Sequence, residues 1–136
     1  MYSIDSQDIC SQLRTGDYVF IEGRPCQIIT STISEGSGNV LIRGIDLFSE
    51  VQREGTYHLT ETMDIPIVSR TVCRLVGLHN GLLQLVMPDS SSKNNIPIPK
   101  GLFGERIGKS QDEGQSLIII IQSVMDEENV IDVQIR

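Results

Sequence analysis

The chain has no tryptophan, two histidines, three cysteines and no lysine before Lys93. Its apolar runs are short. The longest, residues 117–121, falls far below the roughly 18 residues a membrane-spanning helix needs. The opening Met1-Tyr2-Ser3-Ile4-Asp5 has no basic-then-apolar leader pattern, so an intracellular protein without a membrane span is expected. Cys10, Cys26 and Cys73 are widely spaced and form no CxxC pair, which predicts buried free thiols and neither a disulfide framework nor a metal site. GxSxG, HExxH, P-loop and dinucleotide fingerprints are all missing. His58 and His79 lie far from each other and from any nucleophile pattern, and Asp126-Glu127-Glu128 reads as a solvated turn between strands. No catalytic residue, cofactor or small-molecule substrate is expected, and the chain is not predicted to be an enzyme.

Charge is present but one-sided. The net charge is −7 over 136 residues. Residues 1–67 carry Arg14, Arg24, Arg43 and Arg53 against ten acids, giving −6, and residues 68–136 carry seven basic and eight acidic residues, giving −1. A strongly acidic first half disfavours a phosphate-binding surface there, because phosphate neutralisation needs clustered Lys and Arg.

What is abundant is β-branched residues punctuated by turn chemistry. Residues 18–22 and 26–32 read as strands around a Gly23-Arg24-Pro25 turn. Residues 34–39 are a Gly/Ser/Asn-rich loop tip, residues 40–48 resume a strand with a bulge or bend at Gly44, and residues 56–60 form a further arm. Asp46, between Ile45 and Leu47, should point to the solvent face opposite them. Ile65-Pro66-Ile67 places a proline where a ladder hydrogen bond cannot form, and the acid excess ends there, which predicts a boundary between domains 1–67 and 68–136. Residues 71–78 and 82–87 form a hairpin across His79-Asn80-Gly81. Residues 88–95 read as a polar loop, Ile96-Pro97-Ile98-Pro99 as extended, and Leu102, Phe103 and Ile107 as a brief helical turn ending near Gly108. Residues 117–121 read as a central strand covered on both faces, with residues 130–135 returning beside it. Short strands with one short helix predict an all-β chain of small barrels.

Three segments of the first half, Gly16-Asp17-Tyr18-Val19-Phe20-Ile21-Glu22-Gly23-Arg24-Pro25-Cys26, Gly44-Ile45-Asp46-Leu47-Phe48 and Met63-Asp64-Ile65-Pro66, occur in the order and spacing of a known family. Three in the second half agree with it: Leu75-Val76-Gly77-Leu78, Pro99-Lys100-Gly101-Leu102-Phe103-Gly104 and Val124-Met125-Asp126-Glu127-Glu128. Over nearly its whole length the chain resembles initiation factor 5A. The resemblance implies an N-terminal SH3-like barrel followed by a C-terminal OB-fold. In that translation factor a lysine at the tip of a first-domain loop becomes hypusine and reaches into the ribosome. The equivalent loop here is Ser34, Glu35, Gly36, Ser37, Gly38 and Asn39, which is shorter and contains no lysine. A second branch, the fungal Woronin-body matrix protein, also has a short loop without hypusine and self-assembles. The end of the chain, Val133-Gln134-Ile135-Arg136, differs from that branch's Ser-Lys-Leu-like peroxisomal tail.

The leading expectation is therefore a non-catalytic, structural, self-assembling protein of the Woronin-body matrix type. Its partner would be a second copy of itself, with Arg24, Glu35 and Arg53 as candidate protomer contacts. The alternative is an unhypusinated translation-factor paralogue that binds ribosome or RNA, with Lys93, Lys100, Arg106 and Lys109 as candidate phosphate contacts. RNA stacking has little to work with, since Phe103 is the second half's only aromatic residue. The expected location is cytoplasmic, or a peroxisome-derived organelle for the self-assembling reading.

Overall fold

Residues 4–34 and 36–136 are described by the computed structural model, with side chains from Gln7 onward. The chain separates into two units, Met1–Ile67 and Val68–Arg136, each with its own apolar core. The described residues are mostly β, with a barrel in the first unit and an OB-fold in the second. No helix among them is long and apolar enough to cross a membrane.

In the first unit, β1 (Ile4–Ile9) pairs antiparallel with β6 (Thr62–Pro66). A four-stranded meander runs through β2 (Tyr18–Ile21), β3 (Arg24–Ser34), β4 (Asn39–Asp46) and β5 (Gln52–His58). Contacts of β2 with both β5 and β6 close the barrel around Val19, Ile21, Ile28, Val40, Ile42 and Met63. The β2–β3 turn is Glu22-Gly23, not the predicted Gly23-Arg24-Pro25. Both turn residues adopt positive φ, 53° and 76°, the two-residue geometry that suits strand twist, and Arg24 and Pro25 already belong to β3. The irregularity predicted at Gly44 lies across from it: Ile29 is the extra residue of β3, at the step between the Ile28–Gly44 and Thr30–Arg43 pairs. Gly44 is needed for close packing, since a Cβ there would sit 3.0 Å from the Gln27 carbonyl oxygen and 3.0 Å from the tip of Ile21. The arm expected at residues 56–60 is longer, because β4 pairs with it from Gln52 onward.

In the second unit, β7 (Ser69–His79), β8 (Leu82–Val86), β9 (Ser92–Pro97), β10 (Leu117–Val124) and β11 (Glu127–Ile135) form one antiparallel sheet in the order β11-β10-β7-β8-β9. Asn80-Gly81 makes the expected tight turn, at φ 52° and 77°. The stretch read as a polar loop over residues 88–95 gives way to strand at Ser92, because β9 pairs with β8 and anchors Ile96 in the core. The helix α1 (Leu102–Asp112) runs past Gly108, held by the burial of Ile107 and Ser110 on one side. The β10 strand is central, between β11 and β7, but it is fully covered on one face only. Leu117, Ile119 and Ile121 point inward, while Ile118 and Ile120 are half-buried on the outer face.

Candidate functional site

Residues Ser34 and Asn39 close the β3–β4 hairpin as its last pair. Glu35 lies outside the described residues. Gly36 and Gly38 take up positive φ, 87° and 72°. The tip bonds to itself: the Ser37 hydroxyl donates to the Ser34 carbonyl at 3.2 Å and accepts from the Asn39 N–H at 3.3 Å. It is also held from outside, since the Leu59 N–H donates to the Gly38 carbonyl at 2.9 Å. The neighbouring turn is itself braced, with His58 Nδ1 within 2.9 Å of the Thr60 hydroxyl and 3.2 Å from the Thr60 N–H. His58 is thus occupied in bracing its own turn through Thr60.

A second constellation gathers Arg24 and Arg53, two of the three candidate protomer contacts, around one carboxylate. Asp46 is fully buried, contrary to its expected solvent position. Arg24 Nε donates to Oδ2 at 2.9 Å and Nη2 to Oδ1 at 3.2 Å, Arg53 Nε donates to Oδ2 at 3.1 Å, and the Phe48 and Ser49 N–H groups donate to Oδ1 at 3.0 and 3.1 Å. Burial by itself would push this carboxyl up. The hydrogen bonds from Arg24, the two backbone N–H groups and Arg53 outweigh it and hold the group well below the usual carboxylate range. Strand alternation correctly placed Asp46 opposite Ile45 and Leu47, but the face so reached is the inner one, and Ile45 is 40% exposed. The signal available in the sequence was the Asp46-Leu47-Phe48-Ser49 run, an Asp bonding backbone groups two and three residues on as Asx-turns do. Cys26, nearby, has its thiol pushed up to about 11, first by burial and then by the Asp46 charge.

With Arg43 paired to Glu54 at 2.9 Å, three of the first unit's four arginines are held in internal ion pairs. The second unit's candidate cations are dispersed. Lys93 Nζ lies 3.0 Å from Glu128 and is 18% exposed, and Arg106 Nη2 donates to the Val133 carbonyl at 2.6 Å. Lys100 and Lys109 are exposed at opposite ends of the α1 region. Lys93 and Arg106 are thus engaged within the unit, and Phe103, half-buried against the core, offers no stacking platform. Among the described residues, no group of three or more His, Cys, Asp or Glu could hold a metal ion. The His79 Nε2 faces the Asn80 amide at 3.1 Å within its turn.

Two family models match. One, described as translation initiation factor 5A-like, N-terminal, covers residues 5–59; the other, described as eukaryotic elongation factor 5A hypusine, DNA-binding OB fold, covers residues 67–134. Eukaryotic translation initiation factor 5A-1 of Schizosaccharomyces pombe is 36% identical over 126 residues, spanning 90% of this chain and 80% of that protein. The chain belongs to the initiation factor 5A family. The Saccharomyces cerevisiae factor 5A-1 is 32% identical over the same shares of the two chains. Among solved structures, an initiation factor 5A family protein from Naegleria fowleri superimposes with a TM-score of 0.86 at 24% identity, over 97% of this chain and 99% of that one. The factor from Methanococcus jannaschii gives 0.74 at 19% identity, over 95% and 94%. These superpositions reach through both units, the barrel and the OB-fold. The initiation factor 5A family is one of translation factors, not enzymes.

Proposed function

We propose that this chain is a non-catalytic initiation factor 5A paralogue that works in the cytoplasm without hypusine and binds the ribosome or its RNA. The observation that carries the reading is the pairing of near-full-length family likeness with a β3–β4 tip that has no lysine to modify. The short tip is bonded within itself and to Leu59, an arrangement suited to packing against a partner and unlike a long cationic side chain reaching into a cavity. Internal pairing of Arg24, Arg43 and Arg53 keeps positive charge away from that end. Phosphate contacts would then fall to the exposed Lys100 and Lys109 of the second unit. The protein is expected to co-sediment with ribosomes at low salt and to be released as salt rises. Absence from the ribosomal fraction at every salt concentration rejects the reading.

Self-assembly of the Woronin-body matrix type is the second reading. It is favoured by aliphatic side chains left open on the first unit, Ile33 at 52% and Val51 at 50% exposure. Sedimentation velocity over a hundredfold concentration range tests it. Growth without a fixed end size supports open assembly, and a monomer throughout excludes it. Charge reversal at Glu35 is the cleaner probe of contacts, because reversal at Arg24 or Arg53 also breaks their bonds to Asp46.

A further inference from the structure

The outer face of the second unit's sheet carries an open cleft of about 480 Å³ where β7 pairs with both β8 and β10. Its lining is aliphatic and basic. Val72, Val86, Met87, Pro88 and Ile118 supply the apolar surface, Arg74 and Arg136 supply the charge, and no aspartate or glutamate side chain lines it. Arg74 sits at the middle of this bed. Its cross-strand neighbours are Val86 on one side and Ile118 on the other, and Val72 and Val76 flank it on its own strand at 53% and 56% exposure. An opposite charge directly across the ladder would stabilise a cation in a sheet, and here both cross-strand positions are aliphatic.

The nearest acids in the register and in the chain are directed elsewhere. Asp132, which lies opposite Ile120 two strands from β7, accepts from the Gln134 amide at 2.8 Å and from the Val133 N–H at 2.9 Å. Asp89, on the rim, accepts from the Ser91 N–H and hydroxyl. One wall is stiffened by the turn after β8, where Met87 and Ser90–Ser91 exchange backbone hydrogen bonds at 2.8 and 2.9 Å. Met87 also accepts a bond from the buried Cys73 thiol at 3.4 Å, which ties this wall to the core beneath.

In a chain of net charge −7, a cleft lined by arginine and aliphatic side chains, with no aspartate or glutamate among its lining residues, is a local reversal of sign. An exposed apolar surface of this kind marks an interaction site more often than a scattered aliphatic residue does, and its charge selects the partner. We propose that this cleft docks an extended protein segment in which an acidic side chain has an aliphatic one two residues away on either side, so that all three share one face, the carboxylate meeting Arg74 and the aliphatic groups resting on Val72, Val86 and Ile118. The proposal concerns a protein partner and does not depend on ribosome binding through Lys100 and Lys109.

The test is an amide-resolved NMR titration of the full chain with a capped pentapeptide in which leucine, glutamate and leucine at the first, third and fifth positions share one face and serine fills the positions between them. Three controls replace its glutamate by glutamine, its leucines by serine, or the peptide by a short single-stranded RNA. Shifts confined to residues around 72–76, 86–90 and 118, at least tenfold weaker for both altered peptides, are the expected result. Arg74→Gln and Val72→Ser, both on exposed side chains, should each weaken binding of the leucine–glutamate peptide at least fivefold while the rest of the spectrum stays unchanged. No shift at millimolar peptide, equal shifts with the glutamine peptide, or shifts at this cleft from the RNA alone would each overturn the proposal.

Discussion

Asp46 shows how one side chain can fix the meaning of two others. Its carboxylate takes five hydrogen bonds, and the two arginines that read as free interface residues are its partners, each retaining about a quarter of its exposure. Replacing Asp46 by Asn leaves two cations facing a neutral amide in a buried position. It should cost about 3 kcal/mol at neutral pH in chemical denaturation, the lower end for breaking a buried pair because both arginines keep some water. The acid limb supplies a second readout. The folded carboxyl lies below its ordinary 3.8, so on acidification the unfolded chain takes up this proton first. The stabilisation is then complete above about pH 5 and is lost as pH falls below about 4. Asp46→Asn should lose less stability than the parent between about pH 4 and pH 2, and an identical acid limb in the two proteins would show that Asp46 does not drive it.

At the scale of single elements, α1 holds two glycines with opposite demands. Gly104, in the first turn, packs on the chain entering the helix, and an added Cβ would overlap the Pro99 carbonyl oxygen, a backbone atom that cannot swing aside. Gly108, one turn on, has open space where its Cβ would be. Gly104→Ala should therefore destabilise by about 2 kcal/mol, as overpacking does. Gly108→Ala should stabilise by about 0.5–1 kcal/mol through helix propensity and the reduced freedom of the unfolded chain. Thermal melts of the two variants read both signs directly. The same helix marks where reasoning from sequence stopped short: Gly108 looked like a stop signal, yet burial of Ile107 and Ser110 carries the helix through it to Asp112. A packed face outweighs a single unfavourable residue, because most helix stability in a protein comes from tertiary contact.

For the whole molecule, the two cores are separate in sequence: one is drawn from residues 10–63 and the other from residues 73–133. Among the described residues, no strand pairing joins a strand before Ile67 to one after it. Each unit should therefore fold when produced alone with a break between Ile67 and Val68, giving a dispersed amide spectrum. A collapsed spectrum from either piece would mean that its core is insufficient by itself, a real hazard below about 70 residues.

The sequence by itself determined the all-β architecture, the Asn80-Gly81 hairpin and the absence of a lysine at the β3–β4 tip. These follow from local chemistry: residue type sets which φ values a turn tolerates, and strand preference survives in a short window. Only the tertiary structure decided which face of β4 is inside, where β9 begins and which side of β10 stays half open. Strand alternation specifies two faces without saying which one meets a core, and only packing against the rest of the barrel breaks that symmetry. Arg24, Asp46 and Arg53 become one cluster, and Val72, Arg74, Val86 and Ile118 one surface, only because register brings distant positions side by side.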